Sequence, residues 1–155
     1  MKTQKTIYII TGAPNDRKSS TIRALTGVHN GKSFDVDIDG TIEKVFVITT
    51  SPNEITSDAF PVGIGPTQLV ELIKGLKNES KVVLPLRTSN TKHNLPCADQ
   101  YINVLQVAGF EIANVAMFNN NINLPAGVTG TLITNTRTSA ANQLASTLRK
   151  LWGFI

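Results

Sequence analysis

A single cysteine, Cys97, stands among 155 residues, so no disulfide can close within the chain. A thiol count of one suits a reducing compartment. Charge is scarce as well: 17% of residues are charged and the net charge is +4. That is too little for a polycationic arm, so nucleic acid is not specifically indicated. No apolar run approaches the roughly 20 residues that cross a bilayer, and the N-terminal residues lack the apolar core of a signal peptide. The expectation is a cytoplasmic protein with no membrane partner. His29 and His93 lie in polar loops with no partner at zinc-ligand spacing. Repeats, linkers and low-complexity tracts are absent too, and 41% hydrophobic content suffices for one domain with a sizeable core over residues 1–155.

The chain is organised around Lys5 to Gly27, KTIYIITGAPNDRKSSTIRALTG. A β-branched and aromatic run, Thr6 to Thr11, breaks at Gly12. A polar loop follows, and Lys18-Ser19-Ser20 opens a segment with Ile22 and Leu25 at helical spacing, closed by Gly27. The pattern is strand, loop, helix.

Downstream, Ser33 to Ile38 alternates polar and apolar residues, Asp39-Gly40 signals a hairpin, and Thr41 to Thr50 supplies a second strand. Its apolar end suits a central position covered on both faces. Pro66 opens a helix with Leu69, Val70, Leu72, Ile73 and Leu76 as its stripe. Lys81 to Leu86 is a core strand whose pairing is expected to stop at Pro85. A helix from Pro96 carries Tyr101, Val104, Leu105 and Ala108 on one face, with Gly109 as its cap. Phe110 to Phe118 and Gly130 to Thr134 are further strands. The final helix runs from about Ser139, with Leu144, Leu148, Leu151 and Trp152 inward. This alternation predicts an α/β fold: a three-layer sandwich, a mainly parallel five-stranded sheet plus an antiparallel hairpin strand, and helices on both faces.

The loop Gly12-Ala13-Pro14-Asn15-Asp16-Arg17-Lys18-Ser19 resembles the Walker A pattern G-x-x-x-x-G-K-[ST] of P-loop NTPases, with Arg17 at the second glycine. The order strand, loop, helix, hairpin, strand is also similar to the start of GTPase-like members. The resemblance implies a phosphate site at Gly12, Asn15, Asp16, Arg17, Lys18, Ser19 and Ser20, built from backbone N–H groups and a helix N-terminus. Lys18 would meet the outer phosphates and face solvent without them, while Ser19 would hold Mg2+. A β-carbon at Arg17 costs roughly 1–2 kcal/mol if φ is positive there, though a guanidinium also suits bidentate phosphate contact. Pro14 removes one N–H donor.

The family's D-x-x-G ending is absent: the second hairpin strand runs into Thr50-Ser51-Pro52-Asn53. The guanine signature N-K-x-D is missing as well, so ATP and GTP both stay open. The implied function is purine triphosphate binding with hydrolysis weak or absent. A weak NTPase or phosphotransferase is one form of it. The alternative is a catalytically inactive interaction protein that binds a protein partner without nucleotide. Ligands of such sheets bind beyond the carboxyl ends of the strands. There, Arg87 and Arg137 are the candidates for additional phosphate contacts. Asp35, Asp37 and Asp39 alternate along one strand and read as a solvated face, with Asp39 as a turn residue. Cys97, near a helix start, reads as a bystander thiol.

Overall fold

The computed structural model describes residues 5–13, 16–27, 32–38, 40–49, 51–53, 64–89 and 95–154. In chain order they form β1 (Thr6–Gly12), α1 (Lys18–Thr26), β2 (Lys32–Ile38), β3 (Thr41–Val47), α2 (Pro66–Lys74), β4 (Lys81–Arg87), α3 (Ala98–Val107), β5 (Glu111–Phe118), β6 (Gly130–Ile133) and α4 (Ala141–Trp152). One sheet of six strands runs β2-β3-β4-β1-β5-β6. Only β2 is antiparallel to its neighbour. The expected three-layer α/β sandwich is therefore observed.

The two faces of β1 divide the core. Ile7 and Ile9 pack with Leu69, Ile73, Tyr101, Ile102 and Leu105 of α2 and α3. Tyr8 and Ile10 pack with Ile22, Leu25, Leu144, Leu148 and Trp152 of α1 and α4. Period-two alternation on a strand buried on both sides explains this split. Trp152 packs against Tyr8, ring centroids 5.1 Å apart, and donates its indole N–H to Asn114 Oδ1 at 3.0 Å. This satisfies a buried amide on β5.

Four expectations need correcting. β3 is not central: it lies second from the β2 edge and pairs with β4 only through Val45, Phe46 and Val47. The apolar ending reflects burial on both faces, with Val47 in the core beneath α1 and α4 and Ile48 in the core beneath α2 and α3. Pro85 does not end the pairing of β4, which continues along β1 to Gly12↔Arg87. The Val83 C=O accepts the Ile48 N–H, and the Arg87 N–H goes to Asn53 Oδ1. Backbone groups at 83, 85 and 87 thus turn toward the β3 side. On the β3 side the ladder does stop there: after the Ile48 N–H the next donor would be the N–H that Pro85 lacks, while the pairing with β1 runs on unaffected. Leu151 is exposed, because the inward stripe of α4 runs over Leu144, Ala145, Leu148 and Trp152 and leaves Leu151 at its margin. The helices predicted from Pro96 and Ser139 begin at Ala98 and Ala141, after the extended residues Cys97 and Ala140.

Other signals read as expected. Pro66 occupies the first turn of α2, and Gln68 Oε1 accepts the Gly65 N–H at 2.8 Å. Gly109 follows α3 with φ 97°, while the Phe110 N–H returns to the Leu105 C=O. Asp37 Oδ1 accepts the Gly40 N–H at 2.8 Å, so Asp37 supports the hairpin turn; Asp39 lies outside the described residues. Asp35 pairs across the strands with Lys44 at 3.7 Å. Among the described residues, no three His, Cys, Asp or Glu side chains gather as a metal site, and no helix is long and apolar enough to cross a membrane.

Tyr101 is fully buried and donates to the Ile64 C=O at 2.5 Å, tying α3 to the segment before α2. Burial pushes its phenol well above the ordinary value of about 10. The fold favours the neutral phenol, so this stabilisation is complete below about pH 10 and is lost as pH rises through the folded-state value. Urea midpoints of wild type and Tyr101→Phe are expected to keep a constant offset through neutral pH. Wild type should then lose stability relative to the variant above about pH 10.

Candidate functional site

The loop after β1 begins at Gly12, where a Cβ would sit 3.1 Å from Asp16 Cβ and 3.3 Å from Phe118 Cβ. A β-carbon there would push these neighbours apart by a few tenths of an ångström, so glycine suits the close approach of the loop to β5. Asp16 is buried beneath the loop. Its Oδ2 accepts the Ala13 N–H at 2.9 Å and its Oδ1 accepts from Arg137 Nε at 2.6 Å. Arg137 comes from the link between β6 and α4, and its carbonyl accepts from Arg17 Nε at 3.1 Å. Arg137 thus locks the loop from outside, its guanidinium donating to the Asp16 carboxylate and its carbonyl accepting from the Arg17 guanidinium.

Arg17 is the N-cap of α1 with φ 68°, ψ 25°, in the left-handed region. The position where the Walker A pattern has glycine therefore does adopt the glycine-like backbone. Lys18 opens α1 and is buried, not solvent-facing: its ammonium folds across the loop to the Ala13 C=O at 2.9 Å. Ser19 Oγ donates to the Thr49 C=O beyond β3, which commits its proton and leaves oxygen lone pairs for a cation. The first turn of α1 holds no acidic residue and no side chain caps it. The Ser19 and Ser20 N–H groups have no partner among the described residues. Such free amides at the positive end of a helix favour an anion.

The flanking strands complete the rim. Arg87 stands opposite Gly12 on β4, and the Thr88 N–H donates to the Gly12 C=O at 3.0 Å. The Arg87 backbone is held from the far side by Asn53, whose Oδ1 accepts the Arg87 N–H at 3.1 Å and whose Nδ2 donates to the Arg87 C=O at 3.0 Å. Asn53 Nδ2 also reaches the Pro96 C=O. A buried side-chain amide thus replaces the strand that β3 no longer supplies. Across the loop, Asn119 directly follows β5 with φ 67° and Asn135 lies two residues beyond β6 with φ 60°. Asn119 donates from Nδ2 to Thr136 Oγ1 at 2.7 Å and accepts the Thr136 N–H at Oδ1. Between them lies a cavity of about 390 Å³ lined by Asp16, Asn119, Asn120, Asn135, Arg137 and Thr138. Among the described residues, every non-glycine with positive φ, namely Arg17, Asn119 and Asn135, borders this edge. Left-handed backbone at non-glycine residues concentrates where ligands are clamped.

The sequence-predicted residues Gly12, Asp16, Arg17, Lys18, Ser19, Ser20 and Arg137 are thus brought together, and Arg87 adjoins them on β4. Asn15 and Pro14 lie outside the described residues. Arg137 is an ion-pair partner of Asp16, with its phosphate role left to proposal. Sequence reasoning missed the bonding of Asn53 and Asn119; Asn119 directly follows β5, which is an available signal, whereas Asn53 lies six residues beyond β3 and has none. A larger groove of about 970 Å³ opens at the opposite end of the strands, beside Lys5, Lys74, Lys77 and Phe110. There Lys5 is bound to the Glu79 C=O and Glu43 to Ser80, so its polar groups do not converge on a shared point.

No family model, curated protein or solved structure matches this chain.

Two stability outcomes follow from this geometry. Arg17→Gly is expected to raise unfolding free energy by about 1 kcal/mol, because relief of the left-handed β-carbon exceeds the loss of one exposed bond to Arg137. Asn53→Ala is expected to lower it by about 1–3 kcal/mol, leaving the Arg87 backbone and the Pro96 carbonyl unpaired. Denaturant midpoints at constant m-value test both.

Proposed function

We propose that the chain binds a purine nucleoside triphosphate, ATP or GTP, through the loop from Gly12 to Ser20. The observation that carries this reading is the start of α1, where no side chain caps the helix and the Ser19 and Ser20 N–H groups have no partner among the described residues, beside Lys18 and behind a left-handed residue at the Walker A glycine position. Lys18 would turn from the Ala13 carbonyl to the outer phosphates, and Arg17 would add a second cation. Arg87 and Arg137 would reach the same anion from the flanking strand ends. Ser19 fits Mg2+, since magnesium takes few protein oxygens and keeps phosphate and water ligands for the rest. When bound, the ion would neutralise charge on the phosphates.

Hydrolysis would be weak or absent. Asp16, a carboxylate at this edge, already accepts from the Ala13 N–H at one oxygen and from Arg137 at the other, so its charge is committed to holding the loop rather than to activating a water. The site would act in the cytoplasm as a nucleotide sensor whose bound state sets the loop's shape. The same Asp16 supports a second reading, an interaction protein with no nucleotide, because its carboxylate already occupies donors that a phosphate would use.

Titration calorimetry and thermal unfolding with ATP, GTP and their diphosphates, with and without Mg2+, separate the two. Saturable binding is expected to stabilise the fold by about 3 kcal/mol at hundredfold excess over Kd, a shift of several degrees. Lys18→Ala and Lys18→Met are expected to weaken binding about 10- to 100-fold, the range for a lost charge-assisted bond. No response to any of the four nucleotides refutes the nucleotide reading and favours the partner-binding one.

A further inference from the structure

Three cations of the candidate site are each turned onto an oxygen of the protein itself. Arg17 Nε donates to the Arg137 C=O at 3.1 Å, Lys18 Nζ to the Ala13 C=O at 2.9 Å, and Arg137 Nε to Asp16 Oδ1 at 2.6 Å. The first two acceptors are neutral carbonyls, and a bond of that kind is exchanged for water or a ligand at small cost.

The third bond differs in kind. Asp16 is a charged group with a side chain only 1% exposed, whereas the Arg137 side chain is 61% exposed. Separating them costs Arg137 little, since it already stands in water. It would leave Asp16 a buried carboxylate held by the Ala13 N–H. A loop N–H and a guanidinium are also the donors that recognise an oxyanion. The carboxylate therefore occupies an anion's place, and both members of the pair line the cavity of about 390 Å³ beside the loop.

We propose that Asp16 is a tethered competitor for the phosphate site: its carboxylate retains Arg137 when the site is empty, and a phosphoryl group binds by taking Arg137 from it. This role rests on the nucleotide-binding reading and makes Asp16 the residue that limits how tightly phosphate is held. A phosphoryl group carrying about two charges near neutral pH competes with the single charge of Asp16, where a carboxylate ligand offers no such advantage.

Calorimetric titration of the full chain with tripolyphosphate, ATP and GTP, each with Mg2+, tests this on wild type, Asp16→Asn and Asp35→Asn. Asp16→Asn keeps the shape and an oxygen for the Ala13 N–H while removing the charge that retains Arg137. Its Kd for tripolyphosphate is expected to fall at least about tenfold below that of wild type. Asp35→Asn makes the same change of net charge on exposed β2, and is expected to shift Kd less than about twofold. In wild type, the Arg137 Nε–H resonance, assigned through the backbone of residue 137, is expected to move on saturation with tripolyphosphate. That readout needs no variant to fold.

A wild type that binds while Asp16→Asn binds no tighter overturns the competitor role and leaves the nucleotide reading standing. So does an Arg137 resonance unmoved at saturation, or a gain by Asp35→Asn equal to that by Asp16→Asn. Binding by Asp16→Asn alone supports the role. Tripolyphosphate bound more tightly by Asp16→Asn, with ATP and GTP bound by neither protein, supports it and refutes the nucleotide reading alone. No binding by any of the three proteins overturns both.

Discussion

Everything at the candidate site depends on β1 being hydrogen-bonded along both sides and buried on both faces. All seven of its residues are buried, and it pairs through nearly its full length with β4 on one side and β5 on the other. A strand so held has no freedom to slide, since a one-residue slip would exchange the two sets of core side chains. The loop beyond Gly12 therefore starts from a fixed point and direction. The rigidity of the α1 N-terminus is inherited from the sheet more than from the loop's own bonds.

Onto that fixed origin the chain adds local strain and local compensation. Arg17 holds a left-handed conformation that an L side chain adopts at a cost of about 1 kcal/mol or more. Arg137, Asp16 and the Ala13 N–H surround it with bonds that offset this cost. Asn119 and Asn135 carry the same backbone more cheaply, because short amide side chains tolerate it. The loop is thus shaped by contacts contributed from the other end of the sequence, and its geometry is coupled to the start of α4.

What the sequence disclosed follows from how far apart the cooperating residues lie. The strand–loop–helix unit was legible because its signals are local: a β-branched run, a glycine, a helical apolar stripe and Gly27. Pro66, Gly109 and the Asp-Gly hairpin were legible for the same reason. The Asp16–Arg137 pair was not, since its members are 121 residues apart and each alone looks like a surface charge. Asn53 was legible as a residue beyond a strand but not as a stand-in for one, because that role exists only once β3 has peeled from β4. The misplacement of β3 has a similar origin. An apolar ending signals burial on two faces, and a strand one step from the edge can be buried there as well as a central one can. Lys18 was correctly singled out, while its inward fold could not be foreseen, as it depends on where the Ala13 carbonyl points.

The order of strands also carries a kinetic consequence. Thr6 pairs with Lys81 on one side and Glu111 on the other, so the strand nearest the N-terminus waits for partners that lie far along the chain. Contacts of such separation close large loops before any sheet energy is gained, which slows folding relative to a helical protein of this size. During that interval Ile7-Tyr8-Ile9-Ile10, an uncharged β-prone tetrapeptide, is left uncovered. The segment that later forms a strand buried on both faces is, in the unfolded chain, an aggregation hazard. Lys5, directly before it, supplies the charge that restrains premature association.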